Sequence, residues 1–414
     1  MKIYVIALLL VGVHCLFKDE LWVTGEVDLR NRGDTIFYYL FRSRNPETRY
    51  KKLVIWLSGG PGCSSTIGLF TENGPYMFNK TAKMFRNEYS WNEEYDLMFV
   101  DQPVGVGFSR VKDKDHFCRN ETCVATNFHK FITAFYRYHH PEYQNVPLYI
   151  TGESYAGHYI PAIAAYLLRA KDLDIPLAGI AIGNGLTDFS VQIKGYANFL
   201  LENDLVGPFG YLAVQLLSTI SVIALEMEAE LFKNISLTVL GLIADYVGII
   251  NVYDIRRKDT DDDLDDDIIA LLKQPPVQEL FGLKEYREFK MVCNHTLQEY
   301  MLADIPVSIS PDLVELMENE VKVLIYYGDK DYICNWIGGE LLIDSLKWKG
   351  KSEYEKQAYK GFKLKNGTEV GKFKNVGNFT FLVVYNAGHM VPMDQKEASL
   401  YMLKTFIDGN FTKE

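Results

Sequence analysis

The run Thr151-Gly152-Glu153-Ser154-Tyr155-Ala156-Gly157 constrains this chain more than any other stretch. It follows the apolar run Val146 to Ile150, which predicts a short buried strand. It precedes Ile160 to Ala170, which predicts a helix. A strand that turns at once into a helix leaves little room at the corner. Small residues must flank the turn, and a serine at its apex presents its hydroxyl above the sheet. Ala156 stands where the simplest form of such an elbow has glycine. Short patterns of this kind also match plain turn serines, so Ser154 needs partners elsewhere in the chain.

A serine nucleophile needs an imidazole base and a carboxylate that orients it. After an elbow serine they follow in the order Asp or Glu, then His. Of eight histidines, His14 lies in the N-terminal apolar segment, and His116, His129, His139 and His140 precede the serine. His158 sits on the helix that the serine starts. His295 and His389 remain. His389 follows a strand-like run, Phe379 to Tyr385, and a small-residue loop, which is where a base belongs. The strand expected from Val321 to Tyr327 leads into Gly328-Asp329-Lys330-Asp331. Either aspartate suits the orienting role. A third strand, Leu53 to Leu57, runs into Ser58-Gly59-Gly60-Pro61-Gly62-Cys63-Ser64-Ser65. Glycines there let backbone N–H groups approach a tetrahedral intermediate. The expected oxyanion pair is Gly60 N–H and the N–H of Tyr155, the residue after the serine. No Gly-Lys-Ser/Thr follows, so this is not a phosphate loop.

The blocks Trp56 to Ser65, Asn73-Gly74-Pro75, Asp101 to Ser109 and Gly152 to Pro161 resemble those of serine carboxypeptidases. So do Gly183-Asn184-Gly185-Leu186-Thr187-Asp188, Gly328 to Trp336, and Ala387-Gly388-His389-Met390-Val391-Pro392. The resemblance spans about residues 20 to 410. It implies an α/β-hydrolase fold, a mostly parallel sheet flanked by helices, and a helical inserted lid. It implies Asp331, rather than Asp329, as the partner of His389 and Ser154. It also implies removal of single residues from peptide C-termini through an acyl-enzyme. In that family two glutamates and an Asn-Gly pair grip the substrate carboxylate. Glu72 and Glu153 match the glutamates, and Gly59 matches the glycine. Ser58 stands where the family has asparagine. Ile333, Cys334 and Met390 match positions lining the pockets on either side of the scissile bond. Three carboxyl groups in one site must share protons, so tightest binding is expected at acidic pH.

A chain of 414 residues with 48% hydrophobic residues buries a large core. Strands and helices alternate from Leu53 to Gly185, the rhythm of a parallel sheet. From about Leu186 to Val307 the runs become helical, for example Tyr211 to Lys233, and strands resume after Val321. The expected organisation is therefore a signal peptide (1–15), a first core part (16–185), a helical lid (186–307) and a second core part (308–414). Ser236 to Tyr253 reads as packed helix, and the acidic run Asp259 to Asp267 as a solvated lid loop. Arg256-Arg257-Lys258 beside it has the form of a processing site.

Met1 to Cys15 has a basic start, a short apolar stretch and a small terminal residue, as in secretory signals. Seven N-x-S/T triplets, at Asn79, Asn120, Asn234, Asn294, Asn366, Asn378 and Asn410, suit that route. Six cysteines become five once Cys15 is removed, which predicts one free thiol. Cys118 and Cys123 are spaced to close a small loop. The resemblance pairs Cys63 with Cys293 and leaves Cys334 free beside the site.

The net charge is −11 and no basic, aromatic-laced patch favours nucleic acid. No histidine or cysteine cluster has metal-ligand spacing, so neither metal nor cofactor is expected. The partners expected are peptide and protein C-termini, without nucleic acid or a membrane span after signal cleavage. Homodimers occur among such relatives. The expected location is the secretory route: lysosome, vacuole or outside the cell. Two other functions stay open. One is acyl transfer on the same scaffold, to which Ser58 points. The other is a protective role toward other lysosomal hydrolases.

Overall fold

The computed structural model describes residues 17–29, 33–78, 83–171, 174–227, 229–258, 262–409 and 411. The expected signal peptide lies outside these residues, as do the triplets at Asn79 and Asn410 and the side chain of Asn234.

Ten strands form one sheet: β1 Trp22–Asp28, β2 Thr35–Phe41, β3 Leu53–Leu57, β4 Asp96–Asp101, β5 Leu148–Glu153, β6 Leu177–Gly183, β7 Lys322–Gly328, β8 Lys360–Lys363, β9 Glu369–Val376 and β10 Phe379–Val384. Their spatial order is β1-β2-β4-β3-β5-β6-β7-β10-β9-β8. The six central strands from β4 to β10 run parallel, and the outer pairs are antiparallel. Strands covered on both faces are apolar throughout. β3 (Leu-Val-Ile-Trp-Leu) is an instance, with all five residues buried. Successive side chains point to opposite faces. Ile55, Ile150, Ile180 and Ile325 meet helix α1, Glu121–Ala134, and helix α2, Ala156–Arg169, through Phe128, Phe131, Ile160 and Ile163. Trp56, Phe99, Leu324 and Leu382 meet the opposite layer, where the C-terminal helix Lys396–Asp408 supplies Met402, Leu403 and Phe406. Truncating a fully buried leucine in either layer costs ~2–5 kcal/mol.

Parallel strands deliver their loops to one edge of the sheet, and ligands bind there, beyond the C-terminal ends. The loops after β3, β5, β7 and β10 carry Ser58 to Cys63, Ser154, Asp331 and His389 respectively.

Between β6 and β7 the described residues form helices and turns without a strand. The run expected from Tyr211 to Lys233 is two helices, α3 Pro208–Met227 and α4 Ala229–Val247, packed as a hairpin. Ser236 to Tyr253 is only partly helical, because Gly248 turns left-handed (φ 72°) and ends α4. It is packed on one face only: Ile243 and Ala244 are buried, whereas Leu242 and Tyr246 are exposed. The acidic run is no loop from Asp262 onward. It opens helix α5, Asp262–Leu272, and aspartate is as common at a helix start as in a loop.

Disulfides join Cys63 to Cys293 and Cys118 to Cys123, and Cys334 is free. The first ties the loop after β3 to the inserted segment. Flanking bonds from Ser64 N to Val292 O (2.7 Å) and Asn294 N to Gly62 O (2.8 Å) make it a short antiparallel bridge. Asn120, Asn366 and Asn378 are exposed, while half-buried Asn294 donates to Gly105 O at 2.7 Å.

Candidate active site

Ser154 sits at the end of β5 in left-handed backbone geometry (φ 63°). Such a conformation costs a non-glycine residue about 1–3 kcal/mol. Three bonds hold it: Ser154 N to Gly183 O (3.0 Å), Gly157 N to Ser154 O (2.9 Å) and Leu186 N to Ser154 O (3.0 Å). The turn has no space for larger neighbours. A Cβ on Gly152 would lie 2.1 Å from Leu57 O, and one on Gly157 would lie 2.5 Å from Leu186 O. Ala156 is tolerated because its methyl packs over the bare α-carbon of Gly152.

His389 Nδ1 lies 2.7 Å from Asp331 Oδ2, and both residues are buried. This fixes the imidazole so that Nδ1 donates and Nε2 is left as the basic nitrogen. Asp329 is the residue passed over. It accepts instead from Ala387 N (3.3 Å) and pairs with Lys330. Among the described residues no hydrogen bond joins Ser154 to His389. Such contacts tighten in the substrate complex.

Gly59 presses against the elbow. A Cβ there would lie 2.4 Å from Tyr155 N and 2.8 Å from Ser154 Cβ. Gly60 has φ 109°. Among the described residues neither the Gly60 nor the Tyr155 N–H bonds to another backbone group. Both are available to an oxygen above Ser154.

Two cavities meet at Ser154. The larger, about 340 Å³, is lined by Ser58, Gly59, Glu153 and Met390, with Ile250 and Val252 from the inserted segment. The second, about 150 Å³, is lined by Tyr155, Ile333, Cys334 and Tyr196, with Leu240 of α4. Gly60, Ser154 and Tyr253 line both. The structure thus divides the expected pocket residues: Met390 to one side of the serine, Ile333 and Cys334 to the other. The Cys334 sulfur, an Asp331 oxygen and a His389 nitrogen lie within 4.8 Å of one another.

Glu72 ends a short helical turn, Gly68–Glu72, and comes to rest beside Glu153. Both are buried, and among the described residues neither Glu72 oxygen meets an N–H or hydroxyl donor. Only a carboxyl proton satisfies such a pair. Burial raises the pKa of both, and for Glu153 the neighbouring Glu72 charge raises it further. Ser58 Oγ accepts from Trp56 Nε1 at 3.3 Å, which leaves its own proton free to donate.

Three groups went unassigned by sequence reasoning. Asn184 Nδ2 donates to Asp331 Oδ2 at 2.7 Å. Trp56 holds Ser58. Tyr253 of the inserted segment accepts from His389 N at 2.7 Å, and its ring lies 5.2 Å from the imidazole. Asn184 belongs to one of the quoted blocks. Tyr253 carried no local signal.

Fold and site together define an α/β hydrolase with a serine, a histidine and an aspartate on the loops at one edge of the sheet. Within that class the chain belongs to the serine carboxypeptidase family, whose model matches residues 21–409. It is 36% identical to a "Serine carboxypeptidase-like" protein of Oryza sativa subsp. japonica, covering 94% of this chain and 93% of that one. It is also 36% identical to "Carboxypeptidase Y homolog A" of Phaeosphaeria nodorum, covering 94% and 73%. Among solved structures it resembles Kex1(delta)p, a prohormone-processing carboxypeptidase from Saccharomyces cerevisiae. The TM-score is 0.80 at 27% identity, covering 94% of this chain and 91% of that one. The chain is therefore an enzyme of the serine-type carboxypeptidase class.

Proposed function

We propose that the protein releases single C-terminal amino acids from peptides, with Ser154 as nucleophile, His389 as base and Asp331 as its orienting carboxylate. The observation that carries this reading is the buried pair Glu72 and Glu153 beside the serine, in which both Glu72 oxygens and Glu153 Oε2 have no partner among the described residues. An endopeptidase has no use for two such groups. A free C-terminal carboxylate gives them a partner, provided one proton is shared among the three.

The C-terminal residue enters the larger cavity, and its carboxylate meets Glu153, Glu72, Ser58 Oγ and the Gly59 backbone. The preceding side chain occupies the cavity of Tyr155, Ile333 and Cys334. Ser154 Oγ attacks the last peptide carbonyl while His389 Nε2 takes its proton. The new oxyanion accepts from Gly60 N–H and Tyr155 N–H, each worth ~10²–10³ in rate. The C–N bond breaks as the imidazolium returns the proton to the leaving amine. Water then enters the vacated cavity, is deprotonated by His389 and hydrolyses the ester. The shared proton favours acidic pH. The segment from 186 to 307 acts as the lid. Two disulfides and the N-terminal apolar segment favour the secretory route.

N-blocked dipeptides with varied C-terminal residues, incubated from pH 4 to 8 beside a Ser154→Ala control, test this. Release of free amino acid, strongest at acidic pH and absent in the control, is expected. The second reading is acyl transfer, for which Ser58 speaks. A serine is shorter than the family asparagine and leaves space beside the nucleophile. Folded protein that is labelled at Ser154 by a fluorophosphonate, yet releases nothing from any blocked peptide, would favour it.

A further inference from the structure

The inserted segment returns to the sheet edge through a strap, Asn251 to Arg257, that touches both halves of the histidine–aspartate pair. Val252 O accepts from Tyr332 N (3.3 Å) and Ile333 N (3.0 Å), and Ile255 N donates to Lys330 O (3.0 Å). These bonds bracket Asp331. On the other side, Tyr253 O accepts from His389 N at 2.7 Å. The fit is tight, since a Cβ on Gly388 would lie 2.5 Å from Tyr253 O and 2.8 Å from Asp254 Cβ.

Charge closes the same junction. Asp394 Oδ2 accepts from Gly388 N, the peptide just before His389, at 2.7 Å. Arg257 Nη2 reaches Asp394 Oδ1 at 2.9 Å, and Arg256 Nη2 reaches Asp394 Oδ2 at 3.3 Å. Arg256 is also bidentate on buried Asp254, at 2.9 and 2.6 Å. The basic triplet that has the form of a processing site thus has both arginines engaged in ion pairs with aspartates. Asp394 and Arg257 are themselves mostly shielded, with side chains 12% and 19% exposed. Pairs so shielded are little screened by solvent.

We infer that Arg257 and Asp394 are positioning residues: their ion pair latches the inserted strap to the His389 loop and holds the imidazole in register with Ser154. Neither side chain lines the cavities beside Ser154, although the Asp394 charge helps to hold up the carboxyls of Glu72 and Glu153, so the latch is read on kcat and not on KM. Misplacing a catalytic group by about 1 Å costs roughly 10²-fold. The inference rests on the triad assignment made above.

The test is steady-state kinetics on N-blocked dipeptides at a pH below about 7, where Glu72 keeps its proton, yet above the range in which Asp394, held up by burial, takes up its own. Arg257→Ala is expected to lower kcat about tenfold to a hundredfold with KM within about twofold. Arg257→Lys, which keeps the charge, is expected to recover most of the loss. Arg257→Ala combined with Asp394→Asn is expected to be no worse than the more damaging single variant, because both break one latch. Wild-type kcat in Arg257→Ala overturns the inference, as do a loss confined to KM or losses that multiply. If Arg257→Ala folds poorly, Asp394→Asn alone decides, since it retains an acceptor for Gly388 N and removes only the charge. An unchanged kcat there also overturns the inference. Wild-type protein with neither release nor fluorophosphonate labelling of Ser154 would instead overturn the triad assignment.

Discussion

Asn184 and His389 share one oxygen: the Asn184 amide and the imidazole each lie 2.7 Å from Asp331 Oδ2. The other Asp331 oxygen is buried without a partner among the described residues. Asn184 therefore sets where the carboxylate stands when it receives the histidine. Its own carbonyl accepts from Gly328 N at 3.2 Å, so the amide orientation is determined. A hydrogen bond to a charged group is worth ~1.5–3 kcal/mol. Asn184→Ala is expected to lower kcat about tenfold to a hundredfold, and Asn184→Asp further, through like-charge repulsion. Turnover and the rate of fluorophosphonate labelling should fall together. A variant labelled at the wild-type rate would remove Asn184 from this role.

The buried carboxyl pair gives a pH dependence of definite sign. Burial pushes Glu72 up to about 7, and burial plus the Glu72 charge pushes Glu153 up as well. If the substrate carboxylate binds the protonated pair as proposed, affinity is expected to be full at acidic pH and to fall as pH rises through about 7, where Glu72 loses its proton. Above that point KM is expected to rise about tenfold per pH unit. Glu153→Gln carries a permanent N–H donor and should flatten the rise. A KM profile with the wild-type slope in that variant would contradict the assignment.

Stability follows the same pair. The unfolded glutamate value is ~4.3, below both folded values. Between them the folded state holds more protons than the unfolded chain, so stability falls as pH rises. Glu72→Gln should therefore raise Tm at pH 8 relative to wild type and do little at pH 4. Equal shifts at both pH values, read by calorimetry, would refute this.

Gly59 has no room for a methyl group beside Tyr155 N and Ser154 Cβ. Gly59→Ala should displace the loop that carries the Gly60 N–H and cost ~10²–10³ in kcat, as loss of an oxyanion donor does. Labelling of Ser154 should slow in parallel. Retained activity would show that the loop yields at little cost.

Cys334 lines the second cavity, and burial together with the nearby Asp331 and Glu153 charges pushes its thiol up. Small thiol reagents should therefore react slowly. A bulky methanethiosulfonate, once coupled, should fill the cavity and lower activity roughly tenfold or more, by displacing substrate from its reactive geometry. Mass spectrometry showing complete labelling with full activity would sink this expectation.

The elbow and His389 were legible because their signals are local. A strand, a small-residue turn and a helix occupy neighbouring positions, and one histidine follows a strand late enough in the chain. Asp329 and Asp331 could not be told apart that way. Both follow β7, and the choice depends on how the chain bends toward Ala387 and Asn184. The acidic run was misread because a helix start and a solvated loop both favour aspartate. The strap at Tyr253 and the latch at Arg257 had no local signal, since their partners lie at least about seventy residues away in sequence.

The Cys63–Cys293 bond spans 230 residues. A ribosome has made the first thiol, and the glycine loop it belongs to, long before the second emerges. His389 comes later still. The machinery that cuts peptides is thus completed only near the end of synthesis. An unfinished chain therefore carries Ser154 without the imidazole that would activate it.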